Sequence, residues 1–211
     1  VLDLSDTAIE SLPNSVFSLE NLTTLRLRWC ENLKQVPSLA KLTALRKLDL
    51  EGAGITEVPD GLEMLVNLKF LNLNVRNLRV MPLGILPKIS HLQYLIVYWH
   101  SMATIVNEEE MASLKELEAF AGIFDDANQF SMYIRSLENR RLACYQIKAG
   151  KWGEGSRISP YRLVGKGVNL VGCNLRRGDE SLVLPKDVQS LNIAVCHDLK
   201  SLCDVIFEPH K

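Results

Sequence analysis

Two cysteines and two histidines near the end of the sequence have the side-chain chemistry of a zinc site. They are Cys196, His197, Cys203 and His210. Thiolate and imidazole groups are the usual ligands of structural zinc, but such sites normally contain a Cys-x-x-Cys knuckle, which is absent from this set. The chain also contains an internal repeat in which cysteine recurs at one position, and Cys196 occupies that position. We therefore predict no metal site.

Other reactive residue types are not arranged for catalysis. His91 falls on a predicted outer turn and His100 in a predicted corner, and neither is matched by a nucleophile or base at an aligned strand end. Gly165-Lys166-Gly167 lacks the longer glycine spacing and the following Ser or Thr of a phosphate-binding loop. We predict that the chain is not an enzyme and that this region has no catalytic or cofactor-binding residues.

A repeat organises the sequence instead. Residues 22–37 follow the pattern Leu-x-x-Leu-x-Leu-x-x-Cys-x-x-Leu and then an apolar residue and Pro, which is typical of leucine-rich repeats. The first Leu of each Leu-x-Leu pair recurs every 23 residues, at Leu2, Leu25, Leu48 and Leu71. Less regular steps of 24, 22, 28, 23 and 23 residues continue the alignment, and they predict nine strands in all. The later aligned positions are Leu95, Leu117, Tyr145, Val168 and Leu191.

This pattern predicts an α/β leucine-rich repeat solenoid, or horseshoe, with a parallel β-sheet on the concave side and short turns or helices on the convex side. We expect one domain over residues 1–211 with about nine repeats, regular over 1–100 and irregular over 101–211. The chain begins on a strand at Val1 without a polar capping unit, so we expect it to be a fragment of a longer chain.

Composition excludes several classes of partner. The 24 basic and 25 acidic residues give a net charge of −1, so no net field favours nucleic acid. No apolar run approaches the roughly 20 residues of a membrane span. Three of the five cysteines, Cys30, Cys173 and Cys196, fall five residues after an aligned strand position, where a small side chain turns inward. We predict reduced, structural thiols and a cytoplasmic protein.

The irregular half contains signs of helices and one loop. Asn107 precedes a run of glutamates and is a predicted N-cap. A second helix, capped by Asp126 or Asn128, is predicted from apolar residues that share one face. These residues are Phe130, Ile134 and Leu137. Residues 148–167 are rich in Gly, Ser and basic residues, and we predict a surface loop there.

Alternation along the strands predicts which side chains are exposed on the concave face. Charged residues on the first three strands form a predicted ladder. An aromatic zone centred on repeats four and five is a predicted protein-binding surface, and it consists of Trp29, Phe70, Tyr94, Tyr98 and Trp99. The alternative is that these aromatic residues only pack across strands. The predicted protein-binding residues are Asp3, Arg26, Arg28, Trp29, Lys47, Asp49, Glu51, Phe70, Asn72, Tyr94, Tyr98 and Trp99.

Three features together resemble a known family. They are the Leu-Pro-x-Ser run and the leucines after it in residues 12–27, the corner cysteines, and the Leu-Pro-Lys-Asp-Val-Gln-Ser-Leu-Asn-Ile tail within residues 184–205. They resemble the repeat region of plant intracellular immune receptors of the coiled-coil nucleotide-binding leucine-rich repeat class. The resemblance covers essentially all 211 residues. The Gly-x-Ile-Pro element of extracellular plant repeats is absent.

The resemblance implies a disease-resistance protein whose repeats hold its own nucleotide-binding module inactive and sense a pathogen effector or a guarded host protein. ADP or ATP is then expected in the missing upstream module. We expect the charged ladder to dock that module and the aromatic zone to meet the ligand. The alternative is an intracellular scaffold that holds a signalling protein such as a kinase, a phosphatase or a small GTPase.

Overall fold

The computed structural model of the chain describes residues 1–78, 81–97, 107–137, 140–150, 164–173, 182–197 and 205–207. Several residues singled out in the sequence lie outside these ranges, and they are Tyr98, Trp99, His100, Cys203 and His210. No helix within the described ranges is long and apolar enough to cross a membrane.

Eleven strands can be followed along the described parts of the chain, and nine of them form one sheet. The strands are β1 (Leu2–Asp3), β2 (Thr24–Arg26), β3 (Lys47–Asp49), β4 (Phe70–Asn72), β5 (Tyr94–Val97), β6 (Ala119–Phe124), β7 (Cys144–Gly150), β8 (Lys166–Val171), β9 (Leu182–Leu184), β10 (Ser190–Ala194) and β11 (Val205–Phe207). The sheet contains β1 to β8 and then β10, side by side in chain order and all parallel. The predicted fold class, a leucine-rich repeat solenoid, is confirmed.

The first strands pair in the register that the repeat predicts. Leu2 lies opposite Leu25, Leu25 opposite Leu48, and Leu48 opposite Leu71. The constant repeat length therefore brings the same position of each repeat to the same height in the sheet, and the aligned leucines stack inside. Leu25, Leu48 and Leu71 have no exposed surface. Burying such a side chain stabilises the fold by about 1.5–3 kcal/mol.

The predicted register is wrong at the sixth strand. Leu95 lies opposite Phe120 rather than Leu117, so this repeat is longer than the alignment predicted. Leu117 precedes Phe120 by three residues and is buried, which is the position that Leu92 holds before Leu95. The sequence pattern misassigned Leu117 because a leucine stands in both places in the regular repeats, whereas here the strand position is aromatic.

The predicted alignment of β7 with β8 is also wrong. Val168 lies opposite Ile147, and Tyr145 lies opposite Lys166 instead of Val168. The predicted surface loop over residues 148–167 is wrong at both ends, because β7 continues through Gly150 and β8 begins at Lys166. Ile147 and Ala149 still point into the core, so β7 continues into residues whose polar composition had indicated a loop. Residues 151–163 of that loop lie outside the described ranges.

Short helical segments lie between the strands. Within the described ranges, three 3₁₀ turns span Asn14–Ser18, Leu62–Met64 and Leu86–Ile89, and two α-helices follow, α1 (Glu108–Ser113) and α2 (Ala127–Ser136). Both predicted caps are confirmed: Asn107 accepts a hydrogen bond from the Glu110 amide, and Asp126 accepts one of 2.9 Å from the Gln129 amide. The predicted inner face of α2 is also confirmed, since Phe130, Ile134 and Leu137 are buried.

The second half of the core is aromatic and carries an additional sheet. Phe124 lies 6.1 Å from Phe120, 6.2 Å from Phe130 and 5.3 Å from Tyr133 between ring centroids. Strands β9 and β11 pair in parallel as a separate two-stranded sheet, with Leu182 opposite Val205. The Val183 amide of β9 donates a 3.1 Å hydrogen bond to the Ser131 hydroxyl of α2. This second sheet was not predicted from the sequence.

Candidate interaction surface

The solvent-facing side of β1 to β5 carries most of the predicted protein-binding residues that the structure describes. Leu25 and Leu27 point into the core, so alternation turns Arg26 and Arg28 to the opposite face. The same rule places Lys47 and Phe70 beside them, because these residues pair in register across β3 and β4. We call this set the charged–aromatic surface, and it consists of Asp3, Arg26, Arg28, Lys47, Asp49, Glu51, Phe70, Asn72 and Tyr94.

The first ion pair of this surface is open to solvent. Arg26 Nη1 lies 3.0 Å from Asp3 Oδ2, and the two side chains are 39% and 42% exposed. Ser5 Oγ donates a 2.6 Å hydrogen bond to Asp3 Oδ1. Hydrogen bonds from Ser5 and then Arg26 lower the pKa of Asp3 to about 2. Solvent screening leaves such an exposed pair only a small role in stability.

Three residues of the charged–aromatic surface are not exposed as predicted. Asp49, Glu51 and Asn72 are only 3%, 5% and 4% exposed, although each lies on the outer face. Adjacent strands are about 4.8 Å apart, so the long side chains around these residues, such as Arg28 and Lys47, can cover shorter ones. The prediction of exposure is therefore wrong for these three residues.

Burial controls the ionisation of the covered carboxylates. Arg28 Nη2 lies 2.8 Å from Glu51 Oε2, and Lys47 Nζ lies 4.0 Å from Asp49 Oδ2. Burial nevertheless raises the pKa of both Asp49 and Glu51 above the usual range, and the nearby Arg28 only partly offsets it. Burial also lowers the pKa of Lys47. These carboxylates therefore carry their charge at a cost to the folded state.

The arrangement separates the two signs of charge by depth. The side chains of Arg26, Arg28 and Lys47 are 39%, 41% and 31% exposed, whereas those of Glu51 and Asp49 are 7% and 5% exposed. Cationic groups thus reach solvent above carboxylates that do not. A partner meeting this part of the surface would contact mainly guanidinium and ammonium groups, except at the exposed Asp3.

Two aromatic residues continue the surface beyond the cations. The rings of Phe70 and Tyr94 are 6.0 Å apart and tilted by 31°, and Lys47 Nζ lies 3.9 Å from the centre of the Phe70 ring. Tyr94 is 39% exposed. The structure therefore brings Lys47, Phe70 and Tyr94 into one row across three strands. The two rings pack across strands, and Tyr94 keeps part of its surface exposed to solvent.

Trp29 does not join this row. It follows β2 at the corner in the left-handed backbone region, with φ of 56°, whereas Phe70 and Tyr94 begin their strands. Its ring lies on Gly52, where an added Cβ would come within 2.3 Å of Trp29 Cε3. Trp29 is therefore a corner residue held by the next repeat. Tyr98 and Trp99, the other predicted members of the aromatic zone, lie outside the described residues.

The corner cysteines meet the backbone as predicted. Cys30 Sγ donates to the Leu4 carbonyl at 3.1 Å, and Cys173 Sγ donates to the Ala149 carbonyl at 3.2 Å. Both carbonyls belong to the preceding repeat, so each thiol links neighbouring corners. The cysteines that the structure describes are free thiols. Among the described residues there is no group of three or more His, Cys, Asp or Glu that could hold a metal.

Two polar features of β7 and β8 were not predicted from the sequence. Asp187 accepts a 3.1 Å hydrogen bond from the Tyr145 hydroxyl and forms a 2.5 Å ion pair with Lys166 Nζ. Lys148 is 4% exposed, and burial lowers its pKa to about 8. Extending the alternation of Cys144 and Gln146 by one step would have placed Lys148 on the outer face, but the polar composition had suggested a loop.

Comparison with known proteins adds direct relatives. No model of a known protein family matches the chain. A disease resistance protein of Arabidopsis thaliana is 32% identical over 161 residues, which are 71% of this chain and 16% of the relative. A second protein of that plant, also named for disease resistance, is 28% identical over 215 aligned residues, 90% of this chain and 24% of the relative. The chain therefore spans less than a quarter of either relative.

A shorter similarity falls on a protein of a different kind. The follicle-stimulating hormone receptor of Equus caballus is 52% identical over 50 residues, which are 24% of this chain and 7% of the receptor. About two repeats are enough to account for a match of this length, because the leucine positions recur at a constant spacing. The longer matches cover most of the chain and are the ones that characterise it.

Proposed function

Since the chain is homologous over most of its length to the leucine-rich repeat region of plant disease-resistance proteins of the coiled-coil nucleotide-binding class, we propose that it is the recognition and autoinhibitory region of a cytoplasmic immune receptor. In this proposal the repeats bind two proteins: the receptor's own nucleotide-binding module in the resting state, and a pathogen effector or guarded host protein during the defence response. No step of this function requires a catalytic residue in the repeats.

The observation that carries the proposal is the charged–aromatic surface. Its cations reach solvent while their carboxylate partners are mostly covered, and an exposed tyrosine lies beside them. Arginine and aromatic side chains at the centre of an interface contribute most of its binding energy, since they bury large areas with little loss of entropy. Exposed cations also favour a partner with acidic groups and speed its association.

We assign the two partners to different parts of the surface. Arg26 and Arg28 on β2 dock the nucleotide-binding module through acidic groups of that module. Phe70 and Tyr94 on β4 and β5, with the irregular repeats beyond them, meet the effector or the guarded protein. The homology supports the kind of protein, and the division between partners is our own inference from the distribution of charge and aromatic area.

Charge reversal in the complete receptor tests the assignment. We expect the double variant Arg26→Glu and Arg28→Glu to weaken docking and to cause a cell-death response in leaves without any pathogen. The measurement is ion leakage after transient expression at matched protein levels. The control is Lys34→Glu with Lys41→Glu, which changes the charge equally at two exposed positions between β2 and β3. The absence of ion leakage with the Arg26/Arg28 variant, or equal ion leakage with the control variant, would contradict the proposed docking.

A second variant separates the two roles. Phe70→Ala with Tyr94→Ala leaves the cations in place, so we expect this receptor to remain quiet at rest and to lose its response to the pathogen that wild type detects. Spontaneous activity of the aromatic variant would contradict the division. If the repeats instead bind a signalling protein as a free scaffold, neither double variant will produce spontaneous cell death.

A further inference from the structure

Two cysteine corners lie side by side near the end of the sheet. Val168 of β8 pairs with Leu191 of β10, so Cys173 and Cys196, each five residues further on, occupy equivalent positions of neighbouring repeats. The residues before them, Gly172 and Val195, have φ of 60° and 59°. Because the backbone turns in the same way at both corners, the two thiols point in the same direction.

The thiols are close enough to interact. Cys196 Sγ donates to the Leu170 carbonyl of the preceding repeat at 3.9 Å, and Leu170 lies three residues before Cys173. Cys173 Sγ also donates to the Ala149 carbonyl at 3.2 Å, and Cys196 Sγ donates to the Ala194 carbonyl at 3.4 Å. At the other end of the solenoid, Thr7 and Cys30 occupy this same corner position in neighbouring repeats, and Cys30 Sγ lies 3.5 Å from Thr7 Oγ1. Equivalent corner side chains therefore touch across repeats.

We propose that Cys173 and Cys196 are an oxidisable pair that forms a disulfide across the last two strands of the sheet when the protein meets a small disulfide such as oxidised glutathione. Parallel strands about 4.8 Å apart place the Cα atoms within the range of 4.4–6.8 Å that disulfides span. The inference does not depend on the proposed function, because it rests on the corner geometry alone.

The reaction is a thiol–disulfide exchange in two steps. The Cys196 thiolate attacks one sulfur of oxidised glutathione, forms a mixed disulfide and releases one glutathione thiolate. The Cys173 thiolate then attacks the Cys196 sulfur of the mixed disulfide, which breaks the bond to glutathione and releases the second one. The two protons lost by the cysteines end on the two glutathione thiols, and the two electrons lost by the protein reduce the glutathione disulfide.

The order of the two steps follows from accessibility. Cys196 is half-buried and can meet the oxidant, whereas Cys173 is 5% exposed. Burial raises the pKa of Cys173 to about 12, so its thiolate is scarce and the second step is slow. The disulfide would also replace the thiol donors of both corners, so the Ala149 carbonyl would lose its sulfur partner. The pair would therefore exchange thiol–carbonyl hydrogen bonds at the corners for a covalent link between repeats.

Peptide mapping of the full 211-residue chain tests the proposal. The reduced protein is incubated in native buffer with oxidised glutathione, its remaining thiols are alkylated, and it is digested with trypsin without reduction. Cleavage after Lys166, Arg176, Lys186 and Lys200 puts the two cysteines in different peptides, residues 167–176 and 187–200. We expect these peptides to appear as one linked species, lighter by two hydrogen atoms than their sum, which reduction separates.

Other cysteines supply the controls. Thr7 and Ala53 occupy the corner position of Cys30 in the two neighbouring repeats, so Cys30 has no cysteine beside it. It should therefore remain alkylatable in the same sample. Thr7→Cys gives that corner the same pairing, and we expect it to add a linkage to Cys30. Cys196→Ser should abolish the wild-type link. A link from Cys196 to Cys203, full alkylation of Cys173 and Cys196, or a link formed only in denaturant would each overturn the proposal.

Discussion

The two halves of the solenoid solve the same packing problem differently. Between β1 and β4 the repeat length is constant and the strands are short, whereas the steps into β6 and β7 are longer and so are the strands themselves. The regular half stacks leucine on leucine. The irregular half inserts α2 and fills the space with rings. Strict spacing is therefore one way to build a continuous core, and larger side chains are another.

The physical reason is close packing. A short turn lies near the sheet, and leucine side chains suffice to fill the space between them. A helix such as α2 brings its own large residues, and Phe130 and Tyr133 meet Phe120 and Phe124 of β6 edge-on or tilted. Protein interiors tolerate few voids, so the irregular repeats depend on a small number of large side chains. Each of those side chains should matter more than one leucine of a ladder.

The largest expected effect comes from removing one of these rings. Phe124 contacts Phe120, Phe130 and Tyr133 and has no exposed surface. We expect Phe124→Ala to lower the free energy of unfolding by about 3–5 kcal/mol, since it removes a large buried side chain and leaves a cavity. Urea unfolding followed by circular dichroism measures the loss.

Two matched changes sharpen this comparison. Ile123→Ala alters the neighbouring residue of β6, which is only half-buried, and should cost less than Phe124→Ala. Leu48→Ala removes a fully buried leucine from the regular half and should fall between them. If Phe124→Ala proves the mildest of the three, the second half does not depend on its aromatic cluster.

The corners provide an intermediate effect. Val195 has φ of 59° and is 62% exposed, whereas the equivalent residue of the preceding repeat is Gly172 with φ of 60°. The left-handed conformation costs a β-branched residue about 1–2 kcal/mol, and glycine avoids this strain. We expect Val195→Gly to raise the free energy of unfolding by about 1 kcal/mol and Gly172→Val to lower it. Thermal unfolding of both variants checks the signs, and equal signs would show that corner strain is not the cause.

The smallest effect concerns a buried carboxylate of the regular half. Burial raises the pKa of Asp49 above its usual value of 3.8. Between the unfolded and folded pKa values the folded chain holds more protons, so stability falls as pH rises through the window that begins near 3.8. Asparagine fits this position, because Asn72 occupies it on β4 and accepts from the Asn74 amide. We expect Asp49→Asn to stabilise the protein at neutral pH by about 0.5–1 kcal/mol.

Asp3 and Asp49 should affect the pH dependence of stability in opposite directions. Asp3 has the opposite shift, to a pKa of about 2, so wild type should lose stability from this group as pH falls from 3.8 toward 2. Asp3→Asn should flatten the profile on that acidic side, whereas Asp49→Asn should flatten it above 3.8. Denaturant unfolding across this pH range distinguishes them. Identical profiles for the two variants would mean that burial does not separate the two carboxylates.

Much of the fold could be predicted from the sequence because a repeat fixes several positions at once. The constant leucine spacing predicted the register of β1 to β4, and local capping chemistry predicted the starts of both α-helices. The predicted register was wrong at Leu117 because the regular repeats have leucine both at the aligned strand position and three residues before it, as in Leu45 and Leu48. The second sheet of β9 and β11 was missed because β9 lies beside α2 rather than in the main sheet, and the leucine spacing describes only the main sheet.

The sequence by itself determined which side of each strand faces the core, since alternation and leucine spacing are properties of the chain. Only the tertiary structure decided which of the outward residues reach solvent. Asp49 and Glu51 point outward as predicted but lie beneath longer neighbours, and Trp29 stands at a corner against Gly52. Exposure depends on the side chains of adjacent strands about 4.8 Å away, and those neighbours are set by the stacking of whole repeats.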